Sequence, residues 1–330
     1  MKARKKPIIV FILGPTGVGK SKFAVKLAKG IGGEIISCDS MQVYKDMPIM
    51  SQQPTSELRK AVPHHLIGIL NPSQEWSAAG FVEKAERITK DIVRRKHIPI
   101  IVGGTGLYAR AFIKGLFPSP PKDENFRKAL YKKAEQKGKG RLYKRLLKTD
   151  LLYATKIHPN DLRRIVRALE VYKLTGRPIS EKHKENKGVE GGYEILIFIL
   201  DRARKELYKR INERVEKMFA RGIVREIKRL KTRRMTQAAK GVLGYKEVSN
   251  YIGGKSSLEE AKEFLKRNTR HYAKRQLSWF RKEKDAVWLE LTGRNGAVLI
   301  NAVARRIKVA SRKNKDKSVG RPEHKSQEHR

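Results

Sequence analysis

The sequence predicts an α/β fold: a parallel sheet flanked by helices, interrupted by an all-helical insertion. Three observations predict it. Short apolar runs at 7–13, 34–38, 98–102 and 193–200 alternate with helical stretches, the pattern of strands buried on both faces. A glycine-rich turn follows the first run and opens a helix. Between the third and fourth runs lies a long basic stretch with helical patterning and no strand signal. These place the α/β core at 1–121 and 191–304, the helical insertion at 122–190, and a basic tail, expected to be disordered, at 305–330.

The first run, PIIVFIL at 7–13, reads as a central strand. Following the basic Met1–Lys6, it resembles a short secretory leader. It ends in Gly14-Pro15-Thr16-Gly17, however, and a buried first strand accounts for it better. A helix is expected over 20–31, then a second strand (EIISC, 34–38) ending at Asp39. Residues 80–95 are amphipathic, with Phe81, Ala85, Ile88 and Ile92 on one helical face. The strand IPIIV (98–102) runs into Gly103-Gly104-Thr105-Gly106 and a helix from Leu107. Phe117-Pro118-Ser119-Pro120-Pro121 marks a stiff boundary. Inside the insertion, 161–174 form one amphipathic helix stopped by Gly176 and Pro178. Tyr193–Leu200 returns to the sheet, and helices over 203–220 and 257–282 follow. The latter opens on Ser257 and Glu260 at capping-box spacing. It carries Leu258, Leu265, Tyr272 and Trp279 on one face and Lys266, Arg270, Lys274 and Arg281 on the other.

Charge narrows the class of partner. Lys and Arg number 76 against 33 acids, a formal net charge of +43. Such a field attracts a polyanion, nucleic acid or acidic membrane. No apolar run approaches the roughly 18 residues of a membrane span. The single cysteine, Cys38, excludes a disulfide framework and a cysteine-based zinc site within one chain, and a cytoplasmic location is expected. No seam suggests self-association, so a monomer is expected.

The chemistry begins at Gly14-Pro15-Thr16-Gly17-Val18-Gly19-Lys20-Ser21, which fits G-x-x-x-x-G-K-[ST] between a strand and a helix. Glycines let the backbone wrap an anion, Lys20 adds charge, the helix N-terminus adds its dipole, and Ser21 suits Mg²⁺. This predicts a P-loop NTPase-like core and suggests a nucleotide kinase or ATPase. Those enzymes place an acid at the end of a buried strand, yet 98–102 ends in Gly103-Gly104. The nearby strand-terminal acid is Asp39, a metal ligand or a base. Thr105 suits substrate orientation or a helix N-cap. Arg163, Arg164 and Arg167 form a basic face suited to RNA phosphates, or a solvated one. The adjacent His64 and His65 lack a third ligand and read as structural. Tyr44, Trp76 and Tyr108 read as core before they read as stacking platforms. A non-catalytic RNA-binding protein with a vestigial P-loop is a further alternative.

Several blocks then carry a resemblance. They are GPTGVGKS from Gly14, DSMQVYKDMPI from Asp39, PHHLIG from Pro63 and VGGTGLYARA from Val102. RRIVRALEVYKLTGRPIS from Arg163, GYKE at 244–247 and RHYAKRQLSWFRK from Arg270 complete the set. Over residues 7–285 the chain resembles the tRNA dimethylallyltransferase (tRNA isopentenyltransferase) family. It lacks the cysteine/histidine finger of some eukaryotic members, which points to the bacterial form. The resemblance implies transfer of a dimethylallyl group from dimethylallyl diphosphate to N6 of adenosine 37, in tRNAs reading U-starting codons. The products are N6-dimethylallyladenosine and pyrophosphate, and Mg²⁺ is the implied cofactor. It makes Asp39 the base for the amine and turns the P-loop to the pyrophosphate leaving group. It places Thr105 beside Asp39 on the adenine, and one of Arg210 and Arg214 on the pyrophosphate. It assigns Asp39, Ser40, Met41, Gln42, Thr105, Arg127, Arg163, Arg164 and Arg167 to the anticodon stem-loop of tRNA. A channel is implied, with a flipped adenosine entering from one side and the prenyl donor from the other. Two departures stand out. Many members read I-G-T-A-K-P where this chain has Ile49-Met50-Ser51-Gln52-Gln53-Pro54, and Gly68 stands where an aspartate is common.

Overall fold

The structure, a computed structural model, describes residues 6–118 and 120–316. The chain divides into two compact units, one of residues 113–189 and one of the segments on either side of it.

The first segment of the larger unit alternates strands and helices. In order these are β1 (Ile8–Leu13), α1 (Lys20–Ile31), β2 (Gly33–Cys38), α2 (Ser56–Ala61), β3 (His64–His65), α3 (Ala78–Arg94), β4 (Ile98–Gly103) and α4 (Gly106–Lys114). The smaller unit holds α5 (Glu124–Lys137), α6 (Lys139–Thr149), α7 (Leu151–Ala154), α8 (Leu162–Thr175) and α9 (Ile179–Lys182). The chain then returns through β5 (Glu194–Asp201), α10 (Arg204–Ala220), α11 (Ile223–Lys231), α12 (Gln237–Lys240), α13 (Tyr245–Ile252), α14 (Leu258–Phe280), β6 (Val287–Glu290) and α15 (Gly296–Asp316).

The expected α/β fold is present as a six-stranded sheet in the order β3-β2-β4-β1-β5-β6, parallel throughout. All six residues of β1 are buried, as an apolar strand covered on both faces requires. The chain leaves β1 and crosses β4 to reach β2, so the strand order reverses beside β1. Register then sets the site. Leu13 pairs with Gly103, and Gly103 pairs with Cys38. The turns after β1, β2 and β4 therefore leave the sheet side by side at one edge, the crevice where open α/β sheets bind ligands. The edge strands β3 and β6 are too short to show a two-residue period, and sequence patterning missed both.

In the smaller unit, Leu130, Leu142, Leu146, Ile165, Val166 and Leu169 form an apolar centre. Glu170 is fully buried there. It accepts from Asp123 N at 2.8 Å, from Arg127 Nε and Nη2, both at 2.7 Å, and from Arg167. Of the arginines expected on tRNA, Arg127 thus ties α5 to α8 through Glu170, and Arg167 meets the same carboxylate from one turn earlier on α8. A buried carboxylate demands such partners.

Two expectations change. The smaller unit begins at Ile113, ahead of the proline-rich segment that marked its boundary in the sequence. The tail expected to be disordered from 305 is helical through 316, as part of α15. Leu299, Val303, Ile307 and Ala310 recur at helical spacing and are buried in the main core cluster. Basic composition hid that stripe. The remainder of that expectation, 317–330, lies outside the described residues. Among the described residues, no helix is long and apolar enough to cross a membrane.

Candidate active site

The P-loop closes around its own lysine. Gly14 has φ +146°, and a Cβ there would stand 2.5 Å from the Leu200 carbonyl oxygen on β5, so only glycine fits. Lys20 Nζ donates to Gly14 O at 2.9 Å and Pro15 O at 2.8 Å. Burial first, then the neighbouring Arg214 charge, lowers the Lys20 pKa to about 7, with Asp39 opposing. Arg210, one turn before Arg214 on α10, donates from Nε to Gly17 O at 2.9 Å. Arg214 donates from Nη1 to Thr16 Oγ1 at 3.2 Å, and from Nε to Gln52 Oε1. Burial pulls the Arg214 pKa down to about 10, Asp39 works the other way, and Arg210 and Arg221 add to the fall. Two arginines and a lysine crowd one loop, and each is held by backbone or hydroxyl oxygens. Such a cluster awaits a multiply charged anion.

Asp39 leaves the end of β2 into the same space. Its Oδ1 accepts from Met41 N at 2.8 Å and Gln42 N at 3.3 Å, which holds the carboxylate still. Thr105 leaves the end of β4, and its Oγ1 accepts from Ser40 N at 3.3 Å. Thr105 precedes α4, but its hydroxyl serves the neighbouring turn rather than the helix, so position alone does not make it a cap. Gln42 accepts from Ser37 Oγ at 2.9 Å. Tyr272, from α14, comes close to both Asp39 and Thr105, and burial, followed by the Asp39 charge, holds its phenol above the usual range. Cys38 is buried, and burial pushes its thiol well up, so it is an inert strand residue.

One cavity of about 650 Å³ joins Lys20, Arg210 and Arg214 to Asp39, Gln42 and Tyr272, while Thr105 stands behind its lining residues, bonded to Ser40. Lys20, Lys22, Arg210, Arg214, Lys217, Arg221 and Arg275 line it against the acids Asp39 and Glu213. Ser21, Ser40, Met41 and Gln42 also line it, and Met41, Met50, Val215, Met218, Val242 and Leu243 supply apolar wall. A polar, basic floor and an apolar side suit a ligand with an anionic head and a hydrocarbon tail.

A model of the IPP transferase family matches residues 42–283, and one described as isopentenyl transferase matches 7–66. The chain belongs to the IPP transferase family. Its relatives in that family include the tRNA dimethylallyltransferase of Geobacter sulfurreducens, 45% identical over 291 residues, 88% of this chain and 94% of that one. That of Carboxydothermus hydrogenoformans is 48% identical over 284 residues, 86% of this chain and 91% of the relative. The full-length tRNA isopentenylpyrophosphate transferase of Bacillus halodurans shares the fold with a TM-score of 0.70 at 39% identity, covering 94% of this chain and 99% of that one. A eukaryotic dimethylallyltransferase acting on tRNA gives 0.76 at 31% identity, covering 92% and 80%.

Against this IPP transferase frame, the structure gathers Asp39, Thr105, Arg210, Arg214 and the whole P-loop at one sheet edge. Arg163 and Arg164 are exposed on α8. Of the basic face expected on α14, Lys266 pairs with Glu216 at 2.6 Å and Glu263 at 2.7 Å, and Arg270 donates to Asn212 at 2.7 Å. Tyr44 is buried in a second apolar cluster against which Trp76 packs, and Tyr108 stacks on Phe81 at 5.0 Å, so these aromatics serve the core. His64 Nδ1 meets Val62 O at 2.8 Å and His65 Nε2 meets Glu34 at 2.8 Å, a structural use of both.

Sequence reasoning missed Gln276. Its Oε1 accepts from Thr16 N at 2.8 Å and its Nε2 donates to Gly104 O at 2.9 Å, so one amide ties the P-loop to the turn after β4. A Cβ on Gly104 would stand 2.1 Å from that amide nitrogen, which explains the second glycine of the turn. Gln276 lies inside the block RHYAKRQLSWFRK, but a glutamine on an amphipathic helix carries no mark of its own.

Proposed function

We propose that this chain prenylates a tRNA adenosine, transferring a dimethylallyl group from dimethylallyl diphosphate to N6 of adenosine 37 in tRNAs reading U-starting codons. One observation carries the chemistry: the carboxylate of Asp39 and the cationic P-loop cluster face a single cavity with an apolar wall. Names borne by the relatives, tRNA dimethylallyltransferase and tRNA isopentenylpyrophosphate transferase, support the substrate pair.

The adenine amine is a poor nucleophile, because its lone pair is delocalised into the ring. Oδ1 of Asp39 is committed to two backbone N–H groups, and Oδ2 is the oxygen for the amine. Nitrogen attacks the allylic carbon, the C–O bond to the diphosphate breaks, and its electron pair leaves with pyrophosphate. The amine proton passes to Asp39. Lys20, Arg214 and the P-loop N–H groups meet the charge that grows on the leaving oxygen. Lys20 gives up its carbonyl partners to do so. Thr105, through its bond to Ser40, keeps the turn that bears Asp39 in place.

Mg²⁺ fits this site as a companion of the diphosphate. Among the described residues no cluster of three His, Cys, Asp or Glu side chains exists to hold an ion alone. Ser21 lines the cavity next to Lys20; its hydroxyl would hold the ion, together with oxygens of the bound diphosphate. The ion would supply further positive charge against the leaving group. A kinase or ATPase reading has less support, because β4 ends at Gly103 against Cys38 and continues into Gly104 against Gln276, with no acid where a Walker-B residue would stand.

The test uses unmodified tRNA with an adenosine-rich 3′ flank to the anticodon, dimethylallyl diphosphate and Mg²⁺. Nucleosides from the digested product are weighed by mass spectrometry. Wild type gives dimethylallyladenosine, and Asp39→Asn is slower by about 10²–10⁴-fold. ATP turnover without prenylated nucleoside would sink the reading.

A further inference from the structure

The segment 49–54 is where this chain departs from I-G-T-A-K-P, and its geometry shows what the residues present there do. Buried Glu226, on α11, accepts from Ile49 N at 2.9 Å and Met50 N at 2.8 Å. The side-chain amide of Gln53 donates to Gln42 O at 3.0 Å and Tyr44 O at 2.8 Å. Between these anchors Gln52 takes a left-handed backbone, φ 56°, which a non-glycine residue adopts only when its surroundings require it.

Every polar group of the Gln52 side chain and its carbonyl is used. The carbonyl accepts from Gln42 Nε2 at 3.1 Å, Nε2 donates to Ile49 O at 2.5 Å, and Oε1 accepts from Arg214 Nε. The amide has one workable orientation. Flipped, its oxygen would face the Ile49 carbonyl and its NH₂ would face the guanidinium. Arg214 is gripped at its other end by Thr16 Oγ1. The guanidinium therefore spans from this turn to the P-loop.

We infer that Gln52 is a positioning residue for Arg214, holding its guanidinium across the P-loop in the orientation that receives the diphosphate. An arginine loses much rotamer freedom when it binds an anion. Here that freedom is already lost before the anion arrives. Gln52 accepts without a charge, so it orients Arg214 and leaves its positive charge for the ligand. A carboxylate at this position would cancel that charge, and an alanine would have no acceptor to offer. Gln52 also links Arg214 to Gln42, whose N–H supports Asp39, so the anion-binding and proton-accepting sides share one strut.

The inference rests on the diphosphate reading above. The experiment is a double-mutant cycle on the full chain, with inorganic pyrophosphate as the calorimetric probe and steady-state prenylation alongside. Gln52→Ala weakens pyrophosphate binding and raises KM for dimethylallyl diphosphate about 5–10-fold, while tRNA affinity moves less than twofold. With Arg214→Ala already present, or Arg214→Lys if binding becomes too weak to read, Gln52→Ala adds less than a twofold change. Gln52→Glu binds pyrophosphate more weakly than Gln52→Ala, because its charge pairs with Arg214. An equal loss in both backgrounds would show that Gln52 merely supports the turn, and an unchanged Gln52→Ala would remove it from the site; either overturns the assignment while leaving the diphosphate reading intact. Wild type that neither binds pyrophosphate nor prenylates tRNA would overturn both.

Discussion

Lys20 sits in a field set against its own charge. Burial and Arg214 hold its pKa near 7, far below the 10.5 of a free lysine. The unfolded chain therefore binds the extra proton between about pH 7 and 10.5. By linkage this group makes the ligand-free protein more stable as pH rises through that window. A bound diphosphate reverses the balance, since the anion favours the ammonium. We therefore expect diphosphate binding to take up a proton above about pH 7, with affinity falling as pH rises. Calorimetry in two buffers of different ionisation enthalpy reads the uptake. Lys20→Arg, whose guanidinium stays charged, should lack that component; an identical uptake in the variant would count against the assignment. At this scale the P-loop and Asp39 were legible, because each lies within a contiguous motif beside a strand. Gln52, Tyr272 and Gln276 were not, because their partners come from other elements.

Strand β2 shows how an element is secured at one end so that its other end can work. Glu34, 1% exposed, begins the strand's apolar run. Burial pushes its carboxyl up, but hydrogen bonds from Arg95, His97 and His65 outweigh this and hold it at about 2. The folded value lies below the ordinary 4.5, so this stabilisation is present above about pH 4.5 and is lost as pH falls towards 2. Glu34→Gln should cost about 1–3 kcal/mol at pH 7. The cost should shrink on acidification, as read by denaturant unfolding at pH 7 and pH 3. Catalysis by the folded variant should hold, because Asp39 follows the opposite end of the strand. A collapse of kcat at full folding would contradict that separation. Such a cluster is hard to see in sequence, since Glu34, His65, Arg95 and His97 sit in three separate segments and share no motif.

Charge belongs to the whole molecule. With +43 overall, tRNA binding should fall steeply with salt. Within the smaller unit the arginines expected on tRNA divide in two. Arg163 and Arg164 are exposed, Arg164 with a surface ion pair to Asp161 at 3.3 Å, whereas Arg127 and Arg167 are bonded to the buried Glu170. Replacing both Arg163 and Arg164 by alanine should weaken tRNA binding and flatten the slope of log affinity against log salt by about 1–2. Arg127→Ala should instead lower stability by about 3 kcal/mol, since it strips a partner from a buried carboxylate. Filter binding across a salt series, with thermal melts of the same variants, separates the two. An unchanged slope for the Arg163/Arg164 variant would move the RNA contact elsewhere.

The alternation of apolar runs, the P-loop and the strand-terminal Asp39 are written locally, and periodicity and contiguous spacing suffice to read them. The family blocks extended that reading to a reaction. Tertiary structure alone decided which polar side chains complete the cavity and which arginines are turned to a buried carboxylate rather than to solvent. Gln276 reaches Gly104 across 172 positions and Thr16 across 260, and Arg214 reaches Gln52 across 162. A hydrogen bond of that span leaves no period and no motif in either segment. It exists because parallel strands in one register bring distant turns to the same edge of the sheet, and helices α10 and α14 lay Arg214 and Gln276 against those turns. Likewise an arginine on a basic helix looks the same in sequence whether solvent or a buried glutamate meets it, and only packing distinguishes Arg163 from Arg167.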